Sequence, residues 1–234
     1  MSSPAEDFPA IREALTEHYG RLGSPFAGLD VFEAFVSAML DRAFEPKSRD
    51  AAVSAFRDEG LLDPQTLSEA DPSELDEALR SAGLKVPKGA LGPLRGLARW
   101  LIAVHHGDLA SLVGEDSRVA TSQLRDELLN VNGVGPATAD SLLVFALNRP
   151  TYPVDRASYR VFLRHGWIDL DAGYDDAREA IERVAPDDSA TLAGFSIAME
   201  RIGKDFCRAS VPKCERCPLR PFLPEGGPIS PDLE

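Results

Sequence analysis

Cysteine is scarce in this chain. Its 234 residues include three, all between Cys207 and Cys217. An odd, clustered set does not make a disulfide framework, and in a cytoplasmic chain it points to metal. Long apolar runs are also missing. No uncharged stretch approaches the roughly 18 residues of a membrane span, and the N-terminus lacks the basic-then-apolar pattern of a secretory leader. The expectation is a cytoplasmic protein with no membrane partner. Positive charge is in deficit: 25 Lys and Arg face 38 Asp and Glu, a net charge of −13. That balance argues against a nucleic-acid partner, because phosphate binding ordinarily leaves a basic footprint. It does not exclude one, since a locally positive surface can sit on an acidic body. Strand signals are missing too, with no convincing alternation of β-branched residues, no hairpin dipeptide and no internal repeat.

What is present reads as helix. Apolar residues recur at three- and four-residue intervals in Val31 to Ala43 (Phe32, Phe35, Val36, Met39) and in Leu94 to Val104 (Leu94, Leu97, Leu101, Val104). Asp175 to Val184 and Ala190 to Phe206 also have helical character. Breakers at "GSP", "EPKS", "LLDP", "KVPKG", "NRP" and "APDD" divide the chain, leaving helices of roughly 10–15 residues, ordinary for an all-α protein. From Pro218 onward the chain is rich in Pro and Gly and is expected to be irregular.

One junction carries chemistry. Gln123 to Val131 predicts a short helix with Leu124, Leu128 and Val131 on one side, and Pro136 to Leu147 predicts a second with Ala139, Leu142, Leu143 and Ala146. Pro136 suits a first helical position, and Asn148 and Pro150 stop the helix. Between them lies Asn132-Gly133-Val134-Gly135. Glycines allow positive φ and close approach of the backbone to another group, and a helix start offers unpaired N–H groups. The loop is either a nest for one phosphate or a tight turn that needs glycine only for its geometry. Asp155, after Pro153-Val154 and before the helical stretch Arg156 to His165, has two readings as well. It is an ordinary N-cap, or a carboxylate placed to stabilise a developing cation or take a proton from water.

"NGVGPATADSLLVFAL" followed by "YPVDRASYRVFLRHG" resembles the helix-hairpin-helix, Gly/Pro-rich loop and aspartate signature of the endonuclease III superfamily of DNA glycosylases. "CRASVPKCERCPL" resembles the start of that family's iron–sulfur loop. The similarity runs from about Leu29 to Leu219 and looks nearest to the endonuclease III-related branch that includes 3-methyladenine glycosylases. It implies an all-α fold of two lobes with double-stranded DNA in the cleft between them, acting as a monomer near the nucleoid. One lobe would be a helical barrel over residues 27–151, with the hairpin at about 122–147. The other would join 1–26 to 152–223, leaving 224–234 as an irregular tail. The resemblance makes Asp155 the catalytic carboxylate and assigns DNA binding to Asn132, Gly133, Val134, Gly135, Ala137 and Thr138, with the target base flipped out of the duplex.

The chain departs from the family pattern at three places. Family members that cut the strand carry a lysine where this chain has Ala137, and that lysine forms a Schiff base with the sugar. Alanine supplies no nucleophile, so the expectation is base removal without lyase chemistry. Lys85 and Lys88 are the other lysines weighed, and read as solvated surface. The family's metal loop has four cysteines, whereas here Cys207, Cys214 and Cys217 are followed by Leu223 in the fourth place. A [4Fe–4S] cluster with an open or non-cysteine fourth corner, a zinc ion, and a loop folded without metal are the competing readings, the cluster being the expectation. Finally, where relatives carry a glutamine after the first long helix, Arg42 reads either as the nearest match for a residue that fills the gap left by a flipped base or as a solvated surface arginine.

Other residues weighed are His105 and His106 at a helix end, read as dipole partners or surface, and Trp100 and Trp167, read as core. Arg160 and Arg164, four apart, read as an exposed face that could meet phosphate. Lys204, Arg208, Lys213, Arg216 and Arg220 surround the cysteines and form the best local answer to the acidic charge.

Overall fold

Asp30 starts the first element of the core. Its carboxylate accepts from Glu33 N–H at 2.9 Å, satisfying one of the orphan donors of a helix start. The helix that follows, α2 (Val31–Leu40), buries eight of its ten residues, the pattern of a helix surrounded by others rather than lying on a surface. It ends at Leu40, three residues short of the periodic pattern, with Ala43 and Phe44 N–H closing onto the Leu40 carbonyl. Pro46 keeps the next helix separate: the residue before a proline, Glu45, is pushed out of helical φ/ψ, and Pro46 itself opens α3 (Pro46–Asp58).

The computed structural model describes residues 4–41, 43–86, 89–114 and 117–229, with side chains from residue 7. Arg42 and Lys88 lie outside the described residues. No strand occurs among them, as the lack of alternating patterns predicts. The chain divides into two units, one of residues 25–149 and one of residues 1–24 joined to 150–234.

In the contiguous unit, α2 and α3 are followed by α4 (Pro64–Glu69), α5 (Pro72–Ser81), α6 (Gly92–His105), α7 (Thr121–Leu129) and α8 (Pro136–Ser141). Asp63 and Asp71 cap α4 and α5, each of which opens on a proline. One core of Phe35, Leu40, Phe56, Leu75, Leu97, Leu101, Leu128 and Leu143, among others, joins these helices. Trp100 packs against it, stacked on Phe35 at 6.3 Å between ring centres. Beyond α8 the expected second hairpin helix changes winding. Leu142–Ala146 is a π-helical turn, with Leu147 N–H bonding Leu142 O, so the predicted Pro136 to Leu147 helix is α-helical only through Ser141.

The split unit is built from α1 (Pro4–Tyr19), α9 (Arg156–His165), α10 (Tyr174–Glu182) and α11 (Ser189–Asp205). Phe8, Ile11 and Leu15 of α1, spaced three and four apart, are buried. The Tyr152 ring centre lies 5.8 Å from that of Phe162 and 5.9 Å from that of Phe195. α9 and α11 cross in close contact at Gly203, where an added Cβ would lie 2.4 Å from that of Ala157. Trp167 is buried, as the core reading expects. No helix among the described residues is long and apolar enough to cross a membrane.

Candidate functional site

The hairpin loop answers why two glycines sit together, and the two do different work. Gly133 has φ +86°, and a Cβ there would meet Pro93 Cγ at 2.5 Å. Both the turn and the packing against α6 demand glycine. Gly135 has φ −99°, which any residue adopts, and nothing lies within 4 Å of an added Cβ. Neither local strain nor internal packing explains it. An open face over the backbone does suit approach by an outside group.

The N–H groups of the loop fit that reading. Val134 N–H is used by Val131 O, and Thr138 and Ala139 N–H by Gly135 O. Gly135 and Ala137 N–H have no partner among the described residues. They point out of the start of α8, which no side chain caps. Two free donors at a helix start make a seat for one anion. Of the expected DNA-contact residues, Asn132, Gly133 and Ala137 are exposed, while Val134 and Thr138 are buried. The last two can contribute backbone only.

An ion pair absent from the sequence reading fixes the hairpin. Asp140 is fully buried on α8 and accepts from Arg125 of α7, at 2.8 Å from Nε and 3.2 Å from Nη2. A charged residue inside the apolar run of Ala139 and Leu142 was the available signal. Losing one partner of such a pair costs about 3–5 kcal/mol, because a charge is left buried alone.

Asp155 is the N-cap of α9. Its Oδ1 accepts from Ser158 N–H at 2.6 Å. Burial pushes its carboxyl pKa above the usual carboxylate range, against the lowering effect of the Ser158 bonds, and the charge of Glu200 raises it further. Tyr152, buried beneath, has its phenol pushed up by burial and then by Asp155. Asp155 therefore fills the capping role, and the same side chain carries a carboxyl whose pKa burial raises.

The three cysteines share one small apolar cavity with Arg164, His165 and Leu223. Burial raises the Cys214 thiol and pushes Cys217 up to about 11. Among the described residues, no three His, Cys, Asp or Glu side chains group closely enough to hold a metal ion. Leu223 lines the same cavity, so the place of the family's fourth cysteine is hydrocarbon and supplies no ligand.

Arg160 and Arg164 are not the exposed phosphate-facing pair that their spacing suggests. Arg160 donates to Cys207 O at 2.6 Å and Gly203 O at 3.0 Å. Arg164 donates to Arg208 O at 2.6 Å and Ala209 O at 3.0 Å, and reaches Cys207 Sγ at 3.4 Å. Together they staple the cysteine loop to α9. The tail continues as far as Ile229, whose N–H bonds Arg164 O at 2.9 Å. In the basic patch, Lys204 pairs with Glu200 and Arg220 with Glu215. Arg208, Lys213 and Arg216 are exposed, without a carboxylate partner among the described residues. His105 bonds Glu127 at 2.7 Å, and His106 is the left-handed C-cap of α6, so neither histidine joins a ligand cluster.

No protein-family model matches the chain. A Methanocaldococcus jannaschii protein provisionally named a DNA repair glycosylase is 31% identical over 191 residues, 82% of this chain and 84% of that protein. Endonuclease III of Thermotoga maritima is 26% identical over 211 residues, 90% of each. Among solved structures, a trapped endonuclease III–DNA covalent intermediate matches with a TM-score of 0.72 at 21% identity, covering 95% of this chain and 96% of that one. The all-α two-lobed fold, the hairpin with its free N–H groups and the relationship to the M. jannaschii protein agree: the chain belongs to the endonuclease III-like family of helix-hairpin-helix DNA repair glycosylases.

Proposed function

We propose that this protein is a monofunctional DNA N-glycosylase of base-excision repair. The observation that carries the chemistry is Asp155, a partly buried carboxylate held by Ser158 N–H with its pKa raised by burial. As the C1′–N bond of a damaged nucleotide breaks, the base leaves with the bonding electrons and positive charge grows on the sugar. An ionised Asp155 stabilises that charge. A water oxygen then bonds C1′ and yields its proton to Asp155, whose pKa is raised by burial, the direction that makes a carboxylate a stronger base. A leaving base that already bears positive charge needs no acid, which fits a site with a single assigned carboxylate and favours an alkylated purine as the lesion.

The hairpin supplies the grip. Gly135 and Ala137 N–H would hold one backbone phosphate of double-stranded DNA, with Gly135 open to its approach. Asn132 and Gly133 would border it, Val134 and Thr138 would support it from beneath, and Arg42 is kept as the candidate filler of the vacated base position. Ala137 stands where a strand-cutting relative needs lysine, so the sugar is left intact as an abasic site. In the cysteine loop, Cys207, Cys214 and Cys217 would hold a [4Fe–4S] cluster by three thiolates, which would cross-link the loop. No step of base removal passes through it. A second reading, DNA binding without chemistry, draws on the same N-cap bond, since capping alone is a reason to keep Asp155.

One assay divides these readings. Purified protein is incubated with duplexes that each carry a single defined lesion, and half of each sample then meets hot alkali. Breaks found only after alkali are the expected result. Breaks without alkali, together with borohydride trapping of a covalent complex, overturn the monofunctional assignment. No product on any lesion, with Asp155→Asn indistinguishable from the parent, leaves the binding protein.

A further inference from the structure

On an acidic chain, one cavity of about 480 Å3 is lined, among the described residues, by two arginines and no carboxylate. Arg95 and Arg99 of α6 face it, together with Gly92 and Pro93 at the start of that helix and Asn132 and Gly133 of the hairpin loop. The arginines stand four apart, which puts them on one face of α6. Arg99 Nε donates to Ser68 O at 3.1 Å. That bond fixes the stem and leaves the two terminal nitrogens without a partner among the described residues. Arg95 Nε is shut off from solvent and also lacks a hydrogen-bond partner there, which a buried donor tolerates poorly.

Two further features suit an anion. α6 is 14 residues long and starts without a side-chain cap, so its first N–H groups and dipole add to the two guanidiniums. Asp71, which feels the Arg95 charge, spends its carboxylate on Ser73 N–H at 2.9 Å and Ser73 Oγ at 2.6 Å. It does not close the cavity. The cavity borders the loop whose Gly135 and Ala137 N–H groups are free, so a strand seated there would run past it.

We infer that this cavity is a second phosphate seat, in which Arg95 and Arg99 hold a phosphodiester of the strand gripped by the hairpin. The inference rests on the reading of the chain as a DNA-binding glycosylase. Guanidiniums pair with phosphate oxygens in a planar fork. A second seat would fix the strand's direction as well as its position, which one phosphate cannot do.

The test is fluorescence anisotropy of an undamaged duplex between about 50 and 200 mM salt, with parent, Arg95→Gln/Arg99→Gln and Gly135→Ala proteins. Thermal unfolding checks each fold, and Arg99→Gln alone stands in if the double variant does not fold. The expected result is a roughly tenfold or greater loss of affinity in the double variant, and a salt slope smaller by about one to two, because one or two fewer counterions are released. Arg95→Lys/Arg99→Lys should recover part of the affinity. A folded double variant with parental affinity and slope overturns the seat. If the parent binds no duplex, the DNA-binding reading fails as a whole. If the parent and Gly135→Ala differ while the double variant matches the parent, only the seat fails. Calorimetry with inorganic phosphate separates the sources of the anion: phosphate binding that the double variant loses, with DNA affinity unchanged, makes this a free-anion site and overturns the strand assignment.

Discussion

Replacing Asp155 by asparagine should separate its two roles. Asparagine caps helices as well as aspartate does, so it can still accept from Ser158 N–H, now at 2.6 Å, but it carries no charge. A unit charge about 4 Å from a cationic sugar is worth about 4 kcal/mol at an effective dielectric constant of about 20. At 1.36 kcal/mol per decade, the single-turnover rate of base removal should fall by about a thousandfold. Stability should move the other way. Folded, the carboxyl keeps its proton to a higher pH than it does unfolded. Below the ordinary carboxyl range both states are protonated and the charge is immaterial. As pH rises through the raised folded value, the unfolded chain sheds its proton first and the fold loses stability. The melting temperature of Asp155→Asn should therefore equal the parent's below about pH 3, under the ordinary aspartate value of about 3.9, and exceed it near pH 7. Asp155→Ala loses the cap as well, about 1 kcal/mol or about 2–4 °C for a chain of this size. Quenched-flow or manual single-turnover assays and calorimetry on the three proteins give the answer. An asparagine variant that stays within tenfold of parental activity, or melts below the alanine variant at neutral pH, refutes the reasoning.

Further outcomes follow from the same geometry. Gly133→Ala should destabilise by roughly 1–3 kcal/mol in urea titration, because its Cβ drives into Pro93 at a positive φ. Gly135→Ala should melt within a degree or two of the parent yet bind duplex several-fold more weakly, a difference that anisotropy reads directly. Asp140→Asn should cost about 3–5 kcal/mol by stranding the Arg125 charge, with the loss seen in chemical unfolding whatever the DNA present. Arg164→Ala should loosen the cysteine loop, seen as faster hydrogen exchange at Arg208 and Ala209. A brown colour with broad blue absorption that Cys214→Ser abolishes would place iron on the loop, and a colourless protein after anaerobic iron and sulfide reconstitution would remove the cluster.

Much of this protein is legible one segment at a time, because the physics involved is local. Three- and four-residue spacing announces α2 and α6, with Asp30 capping the first and Pro93 at the start of the second. The order of hairpin, aspartate and cysteines is enough to suggest the family. Other matters depend on what long-range folding brings together. Whether Gly133 and Gly135 serve the turn or an outside ligand could not be told from their shared motif. It was decided by Pro93, forty residues earlier, which crowds the first and leaves the second open. Arg160 and Arg164 have the spacing of an exposed face, yet their partners are carbonyls more than forty residues on. Asp140 reads as an intruder in an apolar helix until Arg125 meets it. Periodicity tells which way a side chain points along its own helix. Only tertiary packing determines what waits there, because burial, close approach and charge pairing depend on atoms that the local sequence does not contain.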